Sequence, residues 1–129
     1  MQAVTIKPEF SIIVSPGFYA LGDPSYTIRD NEEWLALLDS SGGFSTPVGK
    51  SRNRNVYAFS THRGDGTYLG SDGFEYDVDS GLIGLVPVEL GMDGIRIGQC
   101  RPVIVAEKIQ CSCDRGLLIF GNIVINTRR

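Results

Sequence analysis

The sequence predicts a mainly β fold: a single-domain antiparallel β-sandwich or partly open barrel over residues 1–129, with one short α-helix packed on the sheet. Three observations carry that expectation. Short apolar runs recur between turn residues along most of the 129-residue chain, and one run alternates with the period-two pattern of a half-buried strand. The 16 glycines and 6 prolines fall mainly between those runs, where they make tight turns. Only one stretch has helical spacing. The length is that of one ordinary domain. A content of 42% hydrophobic and 21% charged residues is that of a chain that folds.

Taken in order, Ser15-Pro16-Gly17 and Gly22-Asp23-Pro24 mark the first turns. Asp30 is a helix N-cap and Glu33, three residues on, completes a capping box; Glu32 adds a further acid at the positive end of the helix. Trp34, Leu37 and Leu38 form the apolar stripe, flanked by Leu35, and Gly42 and Gly43 stop the helix. Trp34 is therefore expected in the core. Residues 40–55, rich in Ser, Gly, Asn and bases and without periodicity, read as one long flexible loop.

Strands are predicted over 56–61, 74–78 and 82–90, the last at a sheet edge or bulge because Pro87 lacks a ladder donor. Gly64-Asp65-Gly66 and Gly91-Met92-Asp93-Gly94 mark turns. Two long strands, 103–113 and 117–126, flank Asp114-Arg115-Gly116 as a hairpin.

Composition excludes several function classes. A net charge of −3 is wrong for a general nucleic-acid binder, which needs a basic surface to displace counterions. No apolar run approaches the ~20 residues of a membrane span. No secretory leader is expected, because the first residues lack a basic region followed by an apolar stretch. Cys100, Cys111 and Cys113 are an odd number and read as reduced thiols in a cytoplasmic protein, with Cys111 and Cys113 on one strand face. Their spacing does not suit zinc, so no metal and no cofactor is expected. Charge is uneven: residues 63–93 hold seven acids against one base, and residues 94–129 six bases against two acids. In a sheet protein such halves neutralise each other across strands.

The candidate chemistry is thin. His62 is the sole histidine, so any nucleophilic or acid–base scheme runs through it, with Asp65 as the nearby acid. It lies at a turn, and no Gly-x-Ser-x-Gly elbow is present. Glu75, Asp77 and Asp79 share one face of the alternating strand, but the run lacks the glycine and glutamate positions of a calcium loop. As an acidic patch it suits a basic partner. Arg52, Arg54 and Arg63 could meet phosphate, with tyrosines stacking on a base. Lys50, with Arg52 and Arg54 in the 40–55 loop, and Tyr68, in the His62–Tyr68 turn, are further binding candidates, and no Walker or dinucleotide loop accompanies them. The leading expectation is a non-enzymatic binding protein contacting a partner protein through loops on a rigid sheet. The alternative is a small-ligand or nucleotide binder using arginines and tyrosines, and the second a hydrolase-like enzyme using His62. Edge strands also favour a homo-oligomer.

Residues 17–28, Gly-Phe-Tyr-Ala-Leu-Gly-Asp-Pro-Ser-Tyr-Thr-Ile, precede a helix carrying Trp34, and Gly64-Asp65-Gly66-Thr67-Tyr68 follows. This arrangement resembles small uncharacterised phage and bacterial proteins with a Gly-Asp-Pro-Cys-Tyr core and a later Gly-Asp-Gly-x-Tyr turn. Ser25 stands where those proteins often have cysteine. The resemblance covers the first half of the chain and brings no catalytic residue with it. It implies a small β-rich intracellular protein of a phage or mobile element, acting on a host protein. Read physically, the motif is a rigid corner: Pro24 fixes the backbone and Asp23 bonds the turn's own amides.

Overall fold

In the computed structural model, which describes residues 8–91 and 99–128, the chain is mainly β. The Ser15-Pro16 turn joins β1 (Phe10–Val14) to β2 (Gly17–Gly22), and a 3-10 turn (Pro24–Tyr26) leads into α1 (Asn31–Ser41). A hairpin follows, β3 (Val48–Ser51) with β4 (Arg54–Ser60), then a second, β5 (Gly66–Leu69) with β6 (Glu75–Val78). The chain continues through β7 (Leu82–Pro87), a 3-10 turn (Val88–Gly91), β8 (Arg101–Val105), β9 (Ile109–Asp114), β10 (Leu117–Phe120) and β11 (Ile123–Asn126).

These strands make three antiparallel sheets: β3-β4-β7-β2-β8, β1-β9-β10-β11, and the β5-β6 ribbon. None closes into a barrel. Period-two alternation gives the five-stranded sheet two apolar faces. One face, with Tyr19, Leu21, Tyr57, Phe59, Ile83 and Leu85, packs on Val14, Cys111, Cys113, Leu118, Phe120 and Ile125 of the four-stranded sheet. Tyr68, Tyr76 and Val78 of the ribbon join that core. Phe59 and Phe120 meet across the two sheets at 5.6 Å between ring centroids. The opposite face, with Val56, Ala58, Leu82 and Val86, packs under Leu37 and Phe44, with Trp34 and Leu38 partly buried against it. The molecule is thus a sandwich of two sheets with a helix as a third layer.

The helix is built as its sequence predicts. The Asp30 side chain accepts a hydrogen bond from the Glu33 amide at 3.0 Å, and Gly42 closes the other end in the left-handed conformation. Leu37 is fully buried while Leu35 is exposed, as the stripe requires. The Glu33 carboxylate takes the Arg52 guanidinium, at 2.7 Å from Nε.

Three expectations need correction. Residues 40–55 are not one loop: α1 runs to Ser41, and β3 and β4 pair from Val48↔Tyr57 to Ser51↔Arg54. Arg52 and Asn53 turn the hairpin with φ of 49° and 63°. That geometry is usually announced by Asn-Gly or Asp-Gly, so an Arg-Asn turn leaves no signal. Pro87 is neither on an edge strand nor at a bulge. It ends β7, the central strand, two residues beyond Leu85 where pairing with β4 stops, and faces Tyr19 alone. The predicted strand 103–113 divides into β8 and β9, and 117–126 into β10 and β11. The second break falls at Gly121-Asn122, a two-residue loop with Gly121 at positive φ, which the reading of 117–126 as one strand passes over. The Asp114-Arg115-Gly116 hairpin forms, with Arg115 and Gly116 both at positive φ. The predicted turn at 91–94 lies outside the described residues beyond Gly91.

Cys100, Cys111 and Cys113 are buried free thiols, the last two on the core face of β9. Burial pushes Cys100 and Cys111 up to about 11, and Cys113 is raised for the same reason. The thiolate, the reactive form, is therefore scarce and shielded. None of the three is expected to react with an aromatic disulfide reagent at pH 8 in the native protein, and all three are expected to react after denaturation. Rapid native labelling would contradict this burial.

Candidate functional site

The Gly-Asp-Pro-Ser-Tyr corner is densely hydrogen-bonded. Asp23 is fully buried. Its Oδ1 accepts from the Ser25 amide (2.8 Å), the Ser25 hydroxyl (2.8 Å) and the Ser80 hydroxyl (2.6 Å). Its Oδ2 accepts from the amides of Asp79 (2.7 Å) and Ser80 (2.8 Å). The turn thus bonds itself, as its sequence predicts, and also grips the chain between β6 and β7. Tyr26 donates to Asp79 Oδ2 at 2.6 Å. Burial first, then the Asp79 carboxylate, push the Tyr26 hydroxyl well above its ordinary range, so it remains a donor. With every oxygen occupied, the corner is architecture.

His62 follows β4 and is exposed. Its backbone amide donates to Thr127 Oγ1 at 2.8 Å, and that hydroxyl donates to the Gly116 carbonyl at 2.6 Å. Gly116 has no room for a side chain there, since a Cβ would stand 2.3 Å from His62 Cβ. The imidazole makes no hydrogen bond or ion pair among the described residues, so the oriented His–acid pair that a hydrolase needs is not assembled. Asp65 lines an open depression of about 500 Å³ with Asp77, Asp79, Thr67 and Tyr26.

The acidic strand keeps its predicted alternation: Tyr76 and Val78 are buried, Glu75 is exposed and Asp77 is half-buried. Asp77 accepts from the Thr67 hydroxyl at 2.8 Å and Asp79 from Tyr26, so two of the three carboxylates already have internal partners. Among the described residues, no three His, Cys, Asp or Glu side chains are grouped closely enough to hold a metal ion. Across the charge halves, Arg101 pairs with Asp72, whereas Arg115 and Arg128 both reach Asp114 within their own half.

The basic candidates are dispersed. Arg52 is tied to Glu33, Arg54 to Glu89 at 2.5 Å, and Arg63 stands exposed beside His62. Tyr68 is no stacking platform: it is 4% exposed, in the core, and its hydroxyl donates to the Gly64 carbonyl at 2.8 Å. The alternation of the β5-β6 ribbon turns it inward. Lys50 and Arg54 do come together, lining a polar cleft of about 260 Å³ with Asn53, Asn55, Tyr19, Tyr57, Ser15, Pro16 and Pro87.

Sequence reasoning missed one surface. Phe18 on β2 and Ile104 on β8 are direct cross-strand partners, 54% and 71% exposed. The available signal was an apolar side chain at the solvent-facing parity of each strand. Their strand β8 is the edge of the five-stranded sheet, and the exposed Pro102 stands two residues from Ile104 on the same face. No helix among the described residues is long and apolar enough to cross a membrane. Comparison with known proteins finds no family model, no curated protein and no solved structure that matches this chain.

Proposed function

We propose that this chain is a non-enzymatic binding protein that contacts a partner protein through Phe18 and Ile104 at the β8 edge. One observation carries the reading: two exposed side chains of the β2–β8 pair, Phe18 and Ile104, are large, apolar and directly opposed. Isolated exposed apolar residues need no explanation, but a contiguous pair on a sheet edge marks a contact surface. Pro102 removes one backbone donor from that edge, which disfavours continuous strand pairing with a second copy. The partner therefore meets the side chains, and a patch this small suits a transient contact. The resemblance to phage and bacterial proteins points to a host protein in the cytoplasm as that partner. The unassembled surroundings of His62 place the hydrolase reading behind this one.

The test uses a photo-crosslinking residue at position 104 in cells. A discrete adduct with a protein other than this chain is expected, absent when the same residue stands at exposed Leu35, and lost when Phe18→Ser is added. Equal adducts at 104 and 35, or persistence in the Phe18→Ser background, would reject the surface.

A further inference from the structure

We infer that the cleft between the Ser15-Pro16 turn and the β3–β4 hairpin binds a small phosphate-bearing ligand. This site is separate from the Phe18–Ile104 surface and does not depend on it. The hairpin turn at Arg52-Asn53 brings Lys50 and Arg54, from opposite strands, to one cleft that Asn53, Asn55 and Tyr57 also line. Lys50 makes no ion pair among the described residues, so its ammonium is available to an incoming anion. Arg54 lines the cleft while paired with Glu89, an exposed pair held weakly enough for a ligand to compete.

The interior is built before the ligand arrives. Tyr19 donates to the Ser15 carbonyl at 2.8 Å, which fixes the β1–β2 turn as one wall. Asn55 Nδ2 lies 3.4 Å from the Tyr57 hydroxyl, a long contact that is readily exchanged for a stronger acceptor. A guanidinium, an ammonium and two carboxamide-bearing side chains around one cleft suit the several oxygens of a phosphate better than a single planar carboxylate. Pro16 and Pro87 add rigid apolar wall, and the volume of about 260 Å³ is on the scale of a small organic phosphate.

Inorganic phosphate and adenosine monophosphate are titrated into the full chain at physiological salt, followed by amide NMR shifts. Saturable shifts are expected at Lys50, Asn53 and Asn55, with dissociation constants on the order of 1 mM or tighter. Tighter binding of the nucleotide identifies an organic phosphate as the ligand, and binding of phosphate alone identifies the free ion. Lys50→Gln should weaken either interaction by about tenfold or more, Glu89→Gln should strengthen it by freeing Arg54, and Lys108→Gln should change nothing. Thermal unfolding of each variant reports that it is folded. Shifts that never saturate, or that are the same in the Lys50→Gln and Lys108→Gln variants, reduce the effect to charge screening and overturn the inference.

Discussion

Replacing Gly84 with alanine is expected to cost about 3 kcal/mol or more, the upper end of what overpacking does. Gly84 sits mid-way along β7, the central strand, between Ala58 on β4 and Gly22 on β2. A Cβ there would lie 1.9 Å from the Tyr57 carbonyl oxygen and 2.7 Å from Ala58 Cα. Both are backbone atoms of a paired strand, so relief requires parting β4 from β7. That in turn disturbs both cores, because Tyr57 and Val56 serve opposite faces of the sheet. At roughly 4 °C per kcal/mol for a chain of this size, the melting temperature should fall by ~12 °C or more. Gly43→Ala is the control. Nothing lies within 4 Å of its Cβ, and only its φ of +69° is unfavourable, so a loss of about 1 kcal/mol is expected. Thermal melts that rank the two equally would show that β4 and β7 do not approach so closely.

Asp23→Ala should be at least as damaging, by about 3–5 kcal/mol. The carboxyl group satisfies three backbone amides, those of Ser25, Asp79 and Ser80, besides two serine hydroxyls. Each buried donor left unmet costs about 1–3 kcal/mol. Asp23→Asn keeps the volume but turns an NH₂ toward donors, and should recover only part of the loss. Ser80→Ala removes a single hydroxyl donor and should cost about 1 kcal/mol. A chemical-denaturation series in which Asp23→Asn matches the wild type would show that the corner does not hold β6 and β7 in place.

Local patterns in the chain specify a good deal of this. The helix, its cap and its stop are legible because the signals are local: Asp30, the apolar spacing of Trp34, Leu37 and Leu38, and Gly42. The β6 alternation and the Asp114-Arg115-Gly116 hairpin are legible for the same reason. The β3–β4 hairpin was not, since Arg52 adopts a left-handed conformation that an arginine seldom takes. Nothing in the order of residues placed Pro87 at the end of a central strand, because sheet order depends on pairings between residues remote along the chain.

The candidate site divides along the same line. That Asp23 bonds its own turn follows from residue types two positions apart, whereas its grip on Asp79 and Ser80 crosses 56 and 57 residues. Of the binding residues named from sequence, tertiary structure unites Lys50 and Arg54, ties Arg52 to the helix, leaves Arg63 apart, and sends Tyr68 into the core. Sequence alone determined a mainly β chain with one capped helix and a self-bonded corner, because turn chemistry and periodicity act over a few residues. Only the tertiary structure decided which side chains share a cleft or an exposed edge. Those neighbourhoods are set by strand order and register, which emerge from burying both faces of the five-stranded sheet at once.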